Sequence, residues 1–118
     1  MTYYFVWCPK YRRKVLTGCI ETRLRVLILR KAKELHCEIV ALEVMPDHVH
    51  LFLKAPPTHS PQYIANQMKG FTSHASREEF PDLKSRLPSL WSRSYYVGSA
   101  GAVSAATIQK YIEQQKES

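Results

Sequence analysis

The chain is expected to fold as α+β: a ferredoxin-like β-α-β-β-α-β antiparallel sheet with helices on one face, plus a C-terminal helix. Three observations carry that expectation. Four short aromatic or β-branched stretches alternate with two long amphipathic ones. The second and third strands are separated by two residues, and nothing linker-like divides the 118 residues. So short a connection forces antiparallel pairing, and helices interspersed in this order gather on one side of the sheet. Residues 1–118 read as one domain.

Tyr3-Tyr4-Phe5-Val6-Trp7-Cys8 is a strand that Pro9 closes. Over residues 21–35, Leu24, Leu27, Ile28, Ala32 and Leu35 recur at helical spacing, with Arg23, Arg30 and Lys33 elsewhere on the surface. Glu38 to Met45 reads as a strand, Pro46-Asp47 as a tight turn and His48 to Lys54 as the returning strand. Pro56-Pro57 ends that hairpin. Ser60-Pro61 then pairs an N-cap residue with proline at the first helical position, opening a helix to about Glu79 through Ile64, Met68, Phe71 and Ala75. Ser94-Tyr95-Tyr96-Val97 reads as the fourth strand. Gly98-Ser99-Ala100-Gly101 breaks the chain, and Ser104 caps a last helix through Gln115.

Hydrophobic residues make up 45% and charged residues 23% of the chain, close to the soluble globular average, which excludes disordered and collagen-like classes. No apolar run approaches the roughly 20 residues of a membrane span, and Met1-Thr2-Tyr3-Tyr4 does not open a signal peptide. Cys8, Cys19 and Cys37 are odd in number and form no C-x-x-C pair, so they read as reduced thiols in a cytoplasmic protein. The net charge is +7, and its placement is uneven: residues 1–36 hold nine basic and two acidic side chains, the remainder eight of each. A basic block of this kind points to a polyanion, nucleic acid first, or to a solvated helix face.

Two groups of residues have the makings of chemistry. His48 and His50 lie on one face of their strand while Val49, Leu51 and Leu53 lie on the other. The apolar trio faces the helices and leaves both imidazoles on the open side, spaced to share one metal ion. H-x-H alone also describes ordinary exposed strand residues. Tyr111 and Gln115, four apart, stack on one helical face, where Ile108 and Ile112 lie close by, so Tyr111 also reads as the end of an apolar stripe. Taken together, two imidazoles and an amide oxygen make a mixed N/O site with open positions, suited to Mn²⁺ or Mg²⁺, with a tyrosine one turn from a ligand and able to reach bound phosphate.

With these groups in view, the stretches Phe5-Val6-Trp7-Cys8-Pro9-Lys10-Tyr11-Arg12-Arg13-Lys14, Met45-Pro46-Asp47-His48-Val49-His50-Leu51 and Lys110-Tyr111-Ile112-Glu113-Gln114-Gln115 resemble the IS200/IS605-family transposases, single-tyrosine members of the HUH endonuclease superfamily. Leu90-Trp91-Ser92-Arg93-Ser94-Tyr95-Tyr96 extends the likeness, which runs essentially end to end. The resemblance implies His48, His50 and Gln115 as ligands of a divalent metal, and Tyr111 as the nucleophile that cuts single-stranded DNA at transposon ends. The cut leaves a 5′-phosphotyrosine and a free 3′-OH. It also implies recognition of hairpins near those ends, and a homodimer in which the tyrosine helix can complete the partner's site. Gly98 and Gly101 would then be hinges of the tether before that helix. Lys10, Tyr11, Arg12, Arg13 and Lys14 are the leading candidates for DNA contact, cations for phosphates and a ring for a base; Arg23, Arg25 and Arg30 add field, and Lys69 and Arg93 are further candidates. Two departures stand out: Met1 lies almost at the first strand, where the family usually carries a short leader, and Ala102 stands where relatives often have asparagine.

Other readings share parts of this pattern. An RRM-like nucleic-acid-binding module has the same element order, but its third-strand signature is replaced here by His48-Val49-His50-Leu51-Phe52-Leu53. A domesticated relative that processes palindromes would share the chemistry. A hydrolase using the histidines alone would leave Tyr111 without a role.

Overall fold

A strand that alternates its side chains across a sheet covered by helices on one side must present two chemically different faces. The computed structural model describes residues 2–82 and 90–99. In chain order it has β1 (Thr2–Trp7), a short 3-10 turn (Lys10–Arg12), α1 (Cys19–Glu34), β2 (Glu38–Met45), β3 (His48–Lys54), α2 (Pro61–Glu79) and β4 (Tyr96–Ser99). The strands lie in the order β2-β3-β1-β4, every neighbouring pair antiparallel. This is the expected ferredoxin-like arrangement, with β1 and β3 central. The last helix, expected over Ser104 to Gln115, lies outside the described residues.

One face of the sheet forms the core with the helices. Tyr3, Phe5 and Trp7 of β1, Val44 of β2 and Val49, Leu51 and Leu53 of β3 bury against Leu24, Ile28 and Ala32 of α1 and Ile64, Ala65 and Met68 of α2. The Ser60 side chain accepts a hydrogen bond from the Tyr63 amide at 3.1 Å, capping α2 as its sequence requires. The inner stripe of α2 differs from expectation. Thr72 and Ser76 are buried, whereas Phe71 and Ala75 are only half-buried. The Thr72 hydroxyl donates to the Met68 carbonyl at 2.7 Å and accepts from Trp91 Nε1 at 3.0 Å, so a polar group is tolerated inside. Lys31 buries its stem, with Nζ 5.2 Å above the Phe71 ring and 3.3 Å from Glu34.

The fourth strand begins at Tyr96, two residues later than its sequence suggests, and continues through Gly98 to Ser99. Gly98, expected as a hinge, sits opposite Tyr4 in the ladder; Gly101, the other expected hinge, is outside the described residues. The second face carries Tyr4, Val6, Glu43, His48, His50, Phe52 and Tyr96, a set fixed by register. It is less open than expected: Val6 and Cys8 are fully buried on it, with Tyr4 and Tyr96 packed against them. Among the described residues no helix is long and apolar enough to cross a membrane, and all three cysteines are free thiols.

Candidate metal centre

The two imidazoles stand side by side on β3, ring centroids 4.5 Å apart and planes at 76°. Each ring is held through its Nδ1. The two-residue turn places Asp47 beside His48, whose Nδ1 donates to Asp47 Oδ1 at 2.7 Å. The carboxylate can only accept, so a proton sits on Nδ1 and Nε2 is turned away from Asp47. His50 lies opposite Val6, and Tyr4, one diagonal step away on β1, reaches across so that its hydroxyl meets His50 Nδ1 in a hydrogen bond. Metal-binding histidines are characteristically held in this way, one nitrogen anchored and the other free.

The electrostatics favour an uncharged His50 ring. Burial is the main cause holding the His50 pKa below the usual imidazole range; the neighbouring His48 adds to it and Glu43 opposes it. Burial, then Glu43, pushes the Tyr4 phenol up. A neutral imidazole and a protonated phenol are the states a cation-binding site needs. Among the described residues no three His, Cys, Asp or Glu side chains are grouped to hold a metal ion by themselves. The two imidazoles would supply two nitrogen donors to a cation, and any further ligand would have to come from outside such a group. Beside His50 is a recess of about 100 Å³ lined by Tyr4, Ala41, Glu43, His50 and Phe52. A larger recess, about 720 Å³ between the start of α1 and the end of α2, shares no residue with the imidazole site.

The basic residues divide into two kinds. Arg12 Nε lies 3.2 Å from Asp47 Oδ2, with both side chains largely shielded. Arg23 pairs with Glu79 at 2.9 Å, and Arg25 with Glu21 at 3.3 Å and with the Leu42 carbonyl at 3.3 Å. Arg13, Lys14 and Arg30 are exposed, and Tyr11 is 48% exposed with Lys10 Nζ 5.4 Å from its ring centroid. These form the free basic surface. Lys69 does not belong to it: its ammonium donates to the carbonyls of Ser92, Arg93 and Ser94 at 2.8, 3.3 and 3.2 Å and lies 5.7 Å from the Tyr95 ring centroid. All three of its donors are committed to main chain. The Arg93 side chain is exposed.

Tyr111 and Gln115 lie outside the described residues. The partners Tyr4 and Asp47 were not picked out from sequence, although one signal pointed to Tyr4. In a ferredoxin-like order β1 borders β3, and the alternation that buries Tyr3, Phe5 and Trp7 turns Tyr4 toward the imidazoles.

Comparison with known proteins adds independent findings. The family profile described as "Transposase IS200 like" matches residues 1–115. The chain is 35% identical to the ISDra2 transposase TnpA of Deinococcus radiodurans, over 99% of this chain and 85% of that protein. It is 39% identical to the transposase for insertion sequence element IS200 of Salmonella typhimurium, over 98% of this chain and 76% of that one. Among solved structures, a candidate transposase from D. radiodurans superposes with a TM-score of 0.90 at 37% identity, covering 98% of this chain and 90% of the other. A REP-associated tyrosine transposase bound to a REP hairpin superposes with a TM-score of 0.63 at 18% identity, covering 95% and 62%, a likeness of fold alone.

Proposed function

The chain belongs to the IS200-like transposase family, and from that premise we propose that it is a metal-dependent transposase of single-stranded DNA, an HUH endonuclease that cleaves and rejoins strands through Tyr111. The observation that carries the reading is the pair of adjacent imidazoles on one sheet face, each engaged at Nδ1 by a neighbouring side chain.

In this reading His48, His50 and the Gln115 amide oxygen would together hold Mg²⁺ or Mn²⁺. The bound ion would supply Lewis-acid polarisation of the scissile phosphate. A phenol is a poor nucleophile near neutral pH, and the Tyr111 hydroxyl would lose its proton to water as its oxygen attacks phosphorus. A P–O bond to the phenol forms, the bond to the 3′ oxygen breaks, and that oxygen leaves as a 3′-OH after taking a proton. The phosphotyrosine conserves the phosphodiester bond for attack by another 3′-OH, so rejoining needs no nucleotide cofactor.

Lys10, Tyr11, Arg13 and Lys14, with Arg93, would hold DNA by phosphate pairing and base stacking. Hairpin ends are the proposed substrate, a reading supported by the REP hairpin bound to the structural neighbour. A homodimer in which the C-terminal helix serves its own or its partner's site completes the proposal, with the cytoplasm as its place of action.

The test is incubation with single-stranded DNA carrying the flanking hairpins, with Mn²⁺ or Mg²⁺, followed by denaturing electrophoresis. A covalent protein–DNA adduct is expected with the unaltered chain and absent after Tyr111→Phe or chelation. Undiminished adduct in Tyr111→Phe would overturn the nucleophile assignment.

A further inference from the structure

The basic cluster at residues 10–14 looks from sequence like a single DNA-holding patch. One of its members is turned elsewhere. Arg12 Nε lies 3.2 Å from Asp47 Oδ2, and the other oxygen of that carboxylate accepts from His48 Nδ1 at 2.7 Å. The Arg12 and Asp47 side chains are 18% and 16% exposed, and His48 is 15% exposed, so the series is shielded from solvent.

The backbone is bent to produce this. Tyr11 (φ 59°, ψ 20°) and Arg12 (φ 50°) are both left-handed, a conformation unfavourable for side-chain-bearing residues and seldom adopted twice in succession. Surrounding hydrogen bonds hold it. The Arg12 amide donates to the Pro9 carbonyl at 2.8 Å, the Lys10 amide to Leu90 at 2.9 Å, and Pro9 bridges to the buried Trp91. Farther along, the Leu16 amide donates to the Pro46 carbonyl at 3.1 Å, tying this segment to the turn that carries Asp47. Strain of this kind persists where surrounding structure over-determines it, and here it delivers a guanidinium to a carboxylate beside an imidazole.

We infer that Arg12 is a positioning residue of the candidate metal centre rather than a DNA contact: it orients Asp47, and Asp47 keeps the His48 proton on Nδ1 so that Nε2 faces the cation. The inference rests on the metal reading above, and its test separates the two. The ¹⁵N NMR signals of the His48 ring report the tautomer without any metal. Titration with Mn²⁺ alone, read by paramagnetic broadening of the same signals, reports the cation. Hairpin binding against salt reports phosphate contacts.

In the unaltered chain His48 is expected as the Nδ1–H tautomer. Arg12→Gln should convert it to a mixture and weaken Mn²⁺ binding about tenfold or more, the usual range for partners of metal ligands. Asp47→Asn keeps a turn-forming residue and should give the same tautomer change, since an amide can offer its N–H where the carboxylate could only accept. Arg13→Gln, altering an exposed neighbour, should leave tautomer and Mn²⁺ affinity alone and lower the salt slope of hairpin binding by about one. Circular dichroism confirms that each variant is folded. A wild-type tautomer and Mn²⁺ affinity in Arg12→Gln, with a salt slope lowered by about one, would make Arg12 a phosphate contact and overturn the inference. If the tautomer shifts in Arg12→Gln but the unaltered chain shows no Mn²⁺ broadening, the metal reading falls and the Arg12–Asp47–His48 arrangement stands.

Discussion

The two faces of β3 interleave along seven residues, yet they are built on different principles. Val49, Leu51 and Leu53 are completely buried, and their role is to fill volume between sheet and helices. His48 and His50 are half-buried, and their role depends on orientation: one ring is fixed by Asp47, the other by Tyr4. The first face tolerates any well-packed apolar set and is punished by lost volume. In the proposed site the second depends on ring orientation, which a small rotation of either ring would spoil.

That contrast can be broken from the core side. Leu51→Ala should destabilise the fold by about 2–5 kcal/mol, measured by urea unfolding, because the side chain is fully buried in a packed layer. Lys69→Met, which removes three hydrogen bonds to the Ser92–Ser94 main chain, should cost about 1–3 kcal/mol. Its pH dependence sharpens the point. Burial lowers the Lys69 pKa from 10.5 to about 8, against the opposing effect of Cys8. Between pH 8 and 10.5 the unfolded chain therefore binds more protons than the native one, and stability should rise with pH across that window. Lys69→Met should lack this rise; a slope equal to that of the unaltered chain would assign it to other groups.

Smaller effects lie at the edges of the comparison. Tyr11→Gly removes one left-handed side-chain-bearing residue and should raise stability by up to about 1 kcal/mol. Alkylation by iodoacetamide at pH 8 should modify exposed Cys19 readily and spare Cys8, whose thiol is buried and pushed up to about 12, first by burial and then by Asp47. Equal modification of both in the folded chain would mean that the second sheet face opens far more than its packing implies.

What was legible in the sequence is what local pattern controls. β2, β3 and α2 match their expected bounds because the alternation of β3, the two-residue turn between β2 and β3 and a Ser-Pro start leave little freedom. The imidazole pair was legible for the same reason: period two places His48 and His50 together in any strand. What escaped depends on neighbours distant in the chain. Thr72 occupies the inner stripe of α2 because Trp91 supplies a hydrogen bond, and nothing within the helix announces it. Lys69 resembles any surface cation until the carbonyls of residues 92–94 converge on it. The turn at residues 10–12 has two left-handed residues without glycine, which propensity argues against and tertiary hydrogen bonds impose.

The most direct test of the division between the faces is the His48→Ala/His50→Ala double variant, assayed for Mn²⁺-dependent cleavage of single-stranded hairpin DNA and for unfolding in the same preparation. Expected is a variant that stays folded, its stability lowered by about 1–3 kcal/mol through the two lost side-chain hydrogen bonds, with cleavage abolished and hairpin binding largely kept. Cleavage that survives without either imidazole, or that disappears only because the variant unfolds, would contradict the assignment of chemistry to one face of β3 and folding to the other.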